Sequence, residues 1–297
     1  MPGPGAGLRS GSKRYGHRVP NLIDIPSDQF VTLDGVRFHY LDWGGDRDPL
    51  LLLAGLGCTA HVFAELAPHL SDRFRVLALT RRGHGLTDQV HRGHALVDAA
   101  EDARRFLDAL GIQRAHVVGH SMGGGEVSAL AARHPGRIAK VIYLDGAYDW
   151  ADRPTPAGSE EAASPDWFAS YEDYVDFVHS VLPDDIRGPA LDAMLRTSVD
   201  THADGSVVDK LSEAAFAPFV EALNAFRHPY SHITAPALAM YAVGDQWRPA
   251  DAAWRVACRD RFVAETANGR VIEIRASHYL FLDSRDAVLA AMREFLT

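Results

Sequence analysis

The sequence predicts an α/β protein: a mostly parallel sheet covered by helices on both faces, with a helical insertion late in the chain. Three observations predict it. Short apolar runs alternate with helix-forming stretches from about residue 50 to residue 146, the pattern of parallel strands joined by right-handed crossovers. One run, Arg114 to Val118, breaks into Gly119-His120-Ser121-Met122-Gly123 and continues as a helix. Strand-like runs then vanish between residues 147 and 232 and return after Pro236.

The 297 residues suit one large domain with an insertion and can bury a substantial core. A formal charge of −9 argues against nucleic acid or an anionic membrane as the main partner, so a neutral or weakly polar small molecule is the expected ligand. Only Cys58 and Cys258 are present, which fits a reduced compartment and leaves no cysteine zinc motif. Residues 1–20 are rich in Gly, Pro, Ser and basic residues and lack the apolar stretch of a secretory signal. They are expected to be a disordered tail. No apolar run approaches the roughly 20 residues that span a bilayer, so a cytoplasmic enzyme is expected.

In order, Gln29 to Leu33 and Val36 to Trp43 flank Asp34-Gly35, a hairpin signal that starts the sheet antiparallel. Leu50 to Leu53 and Phe74 to Leu79 are unbroken apolar strands, as sheets covered on both faces require. A helix is expected from His61 to Leu70 between them. Another, from Ala95 to Leu110, ends at Gly111, a natural residue for a helix terminus. Ile138 to Leu144 is the next strand. Beyond Asp145-Gly146, prolines punctuate helical pieces at Tyr171 to Val181, Pro189 to Ser198, and Val207 to Phe226 with a kink or break at Pro218. Pro236 to Val243 and Arg270 to Ile274 return to strand, with helices at Ala250 to Phe262 and Ser284 to Leu296. The expected division is a core of residues 21–146 and 233–297, interrupted by a helical cap at 147–232.

Gly119 and Gly123 leave room for a turn too tight for a Cβ, which pushes Ser121 out at the carboxyl end of its strand. This G-x-S-x-G elbow, the turn Arg82-Gly83-His84-Gly85-Leu86-Thr87, the loop Gly244-Asp245-Gln246-Trp247-Arg248-Pro249 and the stretch Ser277-His278-Tyr279-Leu280-Phe281-Leu282 together resemble the α/β-hydrolase family. The resemblance covers about Asp28 to Thr297. It implies an eight-stranded α/β-hydrolase fold with a cap over the sheet. The chain departs from the family's pattern in the turn after Leu53, where Ala54-Gly55 stands in place of His-Gly.

A serine hydroxyl is a poor nucleophile at neutral pH and needs a base oriented by a third group. Ser121 is the candidate nucleophile and His278, after the last strand, the candidate base. The resemblance favours Asp245 as the acid that holds the histidine, with Asp145, which also ends a parallel strand, as the alternative. The N–H groups of Leu56 and Met122 fit the two donors that a tetrahedral oxyanion needs. Gly55, Gly57, Cys58, His120, Tyr148, Trp150, Trp167, Trp247 and Tyr279 are candidate pocket residues. Trp167, Phe168, Tyr171, Tyr174 and Phe177 belong mainly to the core of the insertion.

His84, His91 and His94 show no metal-ligand spacing and read as a solvated loop. Gly123-Gly124-Gly125 is no phosphate loop, because no Lys-Ser/Thr follows. No metal or cofactor is expected.

Serine rather than aspartate at the elbow disfavours dehalogenase and epoxide hydrolase chemistry. The expected activity is cleavage of a small or medium, largely apolar carboxylic ester or lactone through an acyl-enzyme on Ser121. The same residues also serve carbon–carbon hydrolases, thioesterases, hydroxynitrile lyases, perhydrolases and biosynthetic cyclases, and a ligand receptor with weak hydrolysis is the reading from another class.

Overall fold

A computed structural model describes residues 25–154, 165–182, 184–211, 213–244 and 249–297. The expected tail at 1–20 lies outside them. Strands β1 (Gln29–Leu33) and β2 (Val36–Asp42) form the hairpin signalled by Asp34-Gly35, both of which have positive φ, 48° and 81°. β3 (Pro49–Leu53), β4 (Arg75–Leu79), β5 (Ala115–His120) and β6 (Ile138–Leu144) follow. A small separate sheet holds β7 (Trp167–Phe168), β8 (Val199–Thr201) and β9 (Val207–Asp209), and β10 (Ala237–Ala242) and β11 (Gly269–Ile274) return to the main sheet. The eight-stranded sheet has the order β1-β2-β4-β3-β5-β6-β10-β11 and is parallel except where β2 meets β1 and β4.

The unbroken apolar strands are explained by covering on both faces. Leu51, Leu53 and Val117 point into one core with Phe106 and Phe262, while Leu50, Leu52 and Val118 point into the other with Phe63 and Phe281. Each face therefore needs every second residue to be apolar, and two buried faces need them all. Helix α1 (Leu96–Ala109) buries Leu96, Ala99, Ala100, Ala103, Phe106 and Leu107 at helical spacing, and Gly111 follows its end with φ 69°. Next comes α2 (Met122–Arg133), which packs against α1, β5 and β6.

Between β6 and β10 lie α3 (Tyr171–Val181), capped by the Ser170 hydroxyl accepting from the Asp173 N–H, α4 (Pro189–Ser198) and α5 (Glu213–Ala225). The chain closes with α6 (Ala252–Glu265), the short α7 (Leu280–Asp283) and α8 (Arg285–Leu296). Among the described residues no helix is long and apolar enough to cross a membrane.

Two expectations are corrected. The stretch from His61 to Leu70 forms two short 3-10 turns, Ala60–Phe63 and Ala67–His69, rather than a helix. Pro68 has no N–H to continue an i→i−4 ladder. The helix expected from Val207 begins only at Glu213, because Val207–Asp209 pairs antiparallel with Val199–Thr201 across a turn at Gly205, φ 90°. β-Branched Val207 and Val208 beside that glycine favour the hairpin.

Candidate active site

Strand β5 runs straight into α2, and Ser121 lies between them with φ 52° and ψ −122°. Such a backbone costs a non-glycine residue on the order of 1–3 kcal/mol, and it is kept where surrounding packing fixes it. Here the packing leaves no room for a Cβ at Gly119 or Gly123. A Cβ on Gly119 would lie 2.2 Å from the carbonyl oxygen of Gly123, and one on Gly123 would lie 2.3 Å from the carbonyl oxygen of Leu53. The elbow thus presses on the end of β3 and on the turn that follows it. Across that contact, a Cβ on Gly55 would lie 3.1 Å from Cβ of Ser121. Leu56 comes next in the turn, and Met122 opens α2. Among the described residues, neither of their N–H groups meets a protein acceptor.

The imidazole of His278 sits beside this elbow. His120 Nε2 donates to the His278 carbonyl oxygen at 3.0 Å, and the two rings have centroids 4.7 Å apart. Burial pushes His120 well below the usual histidine range, so it is a neutral bracket rather than a charge. His278 Nδ1 bonds Oδ2 of Asp145 at 2.7 Å. An ionised carboxylate only accepts, so Nδ1 carries the proton and Nε2 is the basic nitrogen. Asp145 is fully buried, and its other oxygen accepts from the Tyr148 hydroxyl at 2.7 Å and the Ala242 N–H at 2.9 Å. Arg255 in turn donates to the Tyr148 hydroxyl at 3.0 Å and to the Ala242 carbonyl. A buried carboxylate is tolerated only with such a set of donors.

The bond brings Asp145, the alternative acid, to His278, while Asp245, the favoured one, and Trp247 lie outside the described residues. Residue 145 follows β6 directly and its N–H bonds the Met240 carbonyl, so the sheet itself delivers this carboxylate to the rim. Tyr148, a candidate pocket residue, is fully buried with its hydroxyl on Asp145. Trp150 is buried against Tyr148 and Trp254, while Trp167 is exposed in the small sheet, away from any core. Cys58, His120 and Tyr279 do gather near the elbow: Cys58 Sγ lies 3.8 Å from the Tyr279 hydroxyl, and the rings of His120 and Tyr279 are 5.2 Å apart. Burial pushes the Cys58 thiol up to about 11, so it is not a thiolate nucleophile. Gly57 has φ 76°, a turn position.

His84 is not solvated, as the loop reading had it. It is buried edge-on to Phe219, and burial together with the Arg81 cation pushes its pKa down to about 3. Sequence reasoning also missed a second cluster. Among the described residues, Asp28, His39 and His61 bring potential metal-ligand atoms within 4.8 Å of one another. The two rings are stacked and nearly parallel, 4° apart, and both turn Nε2 to the same carboxylate oxygen. That suits two N–H donors sharing Asp28 Oδ1, at 2.8 and 3.2 Å, better than two ligands on one ion. The positions are spread over 33 residues of sequence, with no motif to join them.

Comparison with known proteins agrees with this architecture. The family model described as the alpha/beta hydrolase fold matches residues 48–203, just over half of the chain. A Caulobacter protein whose name gives carbamate hydrolysis as a provisional activity is 39% identical over 131 residues, 43% of this chain and 47% of that protein. A bifunctional esterase/perhydrolase of Acinetobacter calcoaceticus is 39% identical over 38% of this chain and 42% of its own length. The chain thus spans about half the length of the curated relatives it matches. Among solved structures, E-2-(acetamidomethylene)succinate hydrolase superposes with a TM-score of 0.74 at 23% identity, covering 91% of this chain and 98% of that one. The enol-lactonase of Burkholderia xenovorans does so with a TM-score of 0.66 at 26% identity, covering 90% and 99%. On its sheet, its elbow and the family match, the chain belongs to the α/β-hydrolase fold family.

Proposed function

We propose that the protein is a serine hydrolase that cleaves a small or medium, largely apolar carboxylic ester or lactone. The observation that carries this reading is the hydrogen bond from His278 to Asp145, on a loop bracketed to the residue before Ser121. In this reading Ser121 Oγ attacks the substrate carbonyl and passes its proton to His278 Nε2. Asp145 holds the tautomer and stabilises the imidazolium that forms. The N–H groups of Leu56 and Met122 receive the oxyanion, and His278 returns the proton to the leaving alkoxide. A water activated by His278 then repeats the sequence in reverse and releases the acid. The chemistry calls for no cofactor, and residues 147–232 act as the cap over the site.

The likeness to an enol-lactonase supports the ester and lactone class. A second reading, hydrolysis of a carbon–nitrogen bond by the same residues, is favoured by the Caulobacter relative's name. A fluorophosphonate probe followed by intact-mass analysis tests the nucleophile. One adduct on the wild type and none on Ser121→Ala is the expected result, and an unlabelled folded wild type ends the proposal. Turnover of a p-nitrophenyl ester series against matched carbamates and amides then separates the two readings.

A further inference from the structure

We propose that Arg81, anchored by Glu126, is the positioning residue that aims the Leu56 N–H at the oxyanion. The inference rests on the reading of Ser121 as nucleophile and of Leu56 and Met122 as donors.

Arg81 follows β4 by two residues, and its guanidinium is buried, 7% exposed. It makes three contacts. Nη2 donates to the Ala54 carbonyl at 2.7 Å, Nη1 to the Gly55 carbonyl at 3.1 Å, and Nε to Oε1 of Glu126. The second contact sets direction. The Gly55 carbonyl and the Leu56 N–H belong to one planar trans peptide unit, so they point opposite ways. Holding the oxygen on Arg81 holds the N–H on the far side of that plane. The Cys58 N–H also donates to the Gly55 oxygen, at 3.2 Å, so turning the unit over would break two hydrogen bonds. A turned unit would present a carbonyl oxygen where the site needs a donor.

The third contact links this unit to the other donor. Glu126 lies on α2, whose first residue is Met122. One guanidinium therefore ties the turn that carries Leu56 to the helix that carries Met122. The methyl group of Ala54 offers no hydrogen bond with which to hold the turn itself.

Stability alone does not account for such a pair. Glu126 is 3% exposed, and burial pushes its carboxyl upward against the pull of Arg81. The desolvation of two charges consumes most of their attraction, and an apolar pair of similar volume is often as stable. The planar fork supplies what an apolar pair cannot: fixed directions to two adjacent carbonyls.

The test compares wild type, the neutral pair Arg81→Met/Glu126→Leu, and Arg81→Lys, each assayed on a p-nitrophenyl ester and for the rate of fluorophosphonate labelling. Losing a well-aimed oxyanion donor costs about 10²–10³ in kcat. The double variant is expected to lose about that factor in kcat and in labelling rate, because phosphonylation also builds charge on the oxygen. KM should stay within about threefold, the apparent pKa of the kcat/KM profile should hold, and Tm should fall by only a few degrees. Kcat and labelling within about threefold of wild type in a folded double variant would overturn the inference. If the double variant does not fold, Arg81→Lys decides. An ammonium cannot span both carbonyls and the carboxylate, so a folded Arg81→Lys should lose at least about tenfold in kcat, and an unchanged kcat refutes the brace. A wild type that neither labels nor turns over fails at the reading itself, and is distinguished by that from a failure of the brace.

Discussion

His278 Nδ1 and Asp145 Oδ2 lie 2.7 Å apart although 133 positions separate them in sequence. The bond reaches across the end of β10, whose Ala242 N–H donates to the other oxygen of the same carboxylate. Asp145 itself has φ 46°, so among the described residues two of the three non-glycine residues with positive φ are the candidate acid and the candidate nucleophile. Both sit where a parallel strand stops and the chain must turn sharply at the rim.

The acid assignment is tested by two carboxamides. Asp145→Asn is expected to lower kcat by about 10³–10⁴, because an amide in that place favours the wrong histidine tautomer. Asp245→Asn should stay within about threefold of wild type. The reverse order in steady-state assays would assign the role to Asp245.

The Tyr148 hydroxyl donates to Asp145 Oδ1. Tyr148→Phe removes a donor from Asp145 Oδ1 and an acceptor from Arg255. A buried acceptor left short of a partner costs about 1–3 kcal/mol, so Tm should fall accordingly. The pH profile of kcat/KM should also shift, while KM for small esters stays put. A profile that matches wild type would show that the hydroxyl has no hold on the acid.

Gly123 cannot carry a side chain. The Cβ of Gly123→Ala would meet backbone oxygens of Leu53 and Ala54 at 2.3 and 2.9 Å, which no rotamer relieves. The expected loss is about 2–4 kcal/mol, within the range of severe overpacking, together with most of the activity. Chemical denaturation of the variant measures the first and a labelling assay the second. A variant of wild-type stability would mean that the elbow is looser than the contacts indicate.

Stability should fall in acid before the carboxylates titrate. Burial pushes His39 and His228 down to about 4 and His84 to about 3. In the unfolded chain each takes a proton near pH 6.5, so below that pH the unfolded state binds protons that the folded state refuses. Stability present above about pH 6.5 is therefore lost as pH falls toward 4, at up to about 1.4 kcal/mol per pH unit for each histidine. Asp209, pushed up to about 6 by burial, acts in the opposite sense and offsets at most one of the three. Urea midpoints at several pH values between 7.5 and 4.5 check this, and a flat series would contradict it.

The elbow is legible in the sequence because its constraints are local: Gly119, Ser121 and Gly123 fit one turn between one strand and one helix. The doubly covered sheet is legible for a similar reason, since Leu50 to Leu53 can only be buried on both sides. The histidine's partner is not. Asp145 and Asp245 both follow strand-like runs in the sequence, which carries no measure of which carboxylate lies over the imidazole. Arg81 reads as part of a glycine-rich turn, and nothing marks Glu126, 45 positions later, as its partner. His84 reads as exposed because its neighbours are polar, whereas Phe219, brought in from a distant helix, covers it. Such pairings depend on how elements assemble, which local pattern does not record.

The carboxylate's attachment to the end of β6 has a consequence for redesign. Both oxygens of Asp145 are already engaged, Oδ2 by His278 and Oδ1 by Tyr148 and the Ala242 N–H, so a change that displaces the end of β10 also displaces this carboxylate. Residues 145 and 242 therefore have to be held fixed together when the rim around them is rebuilt.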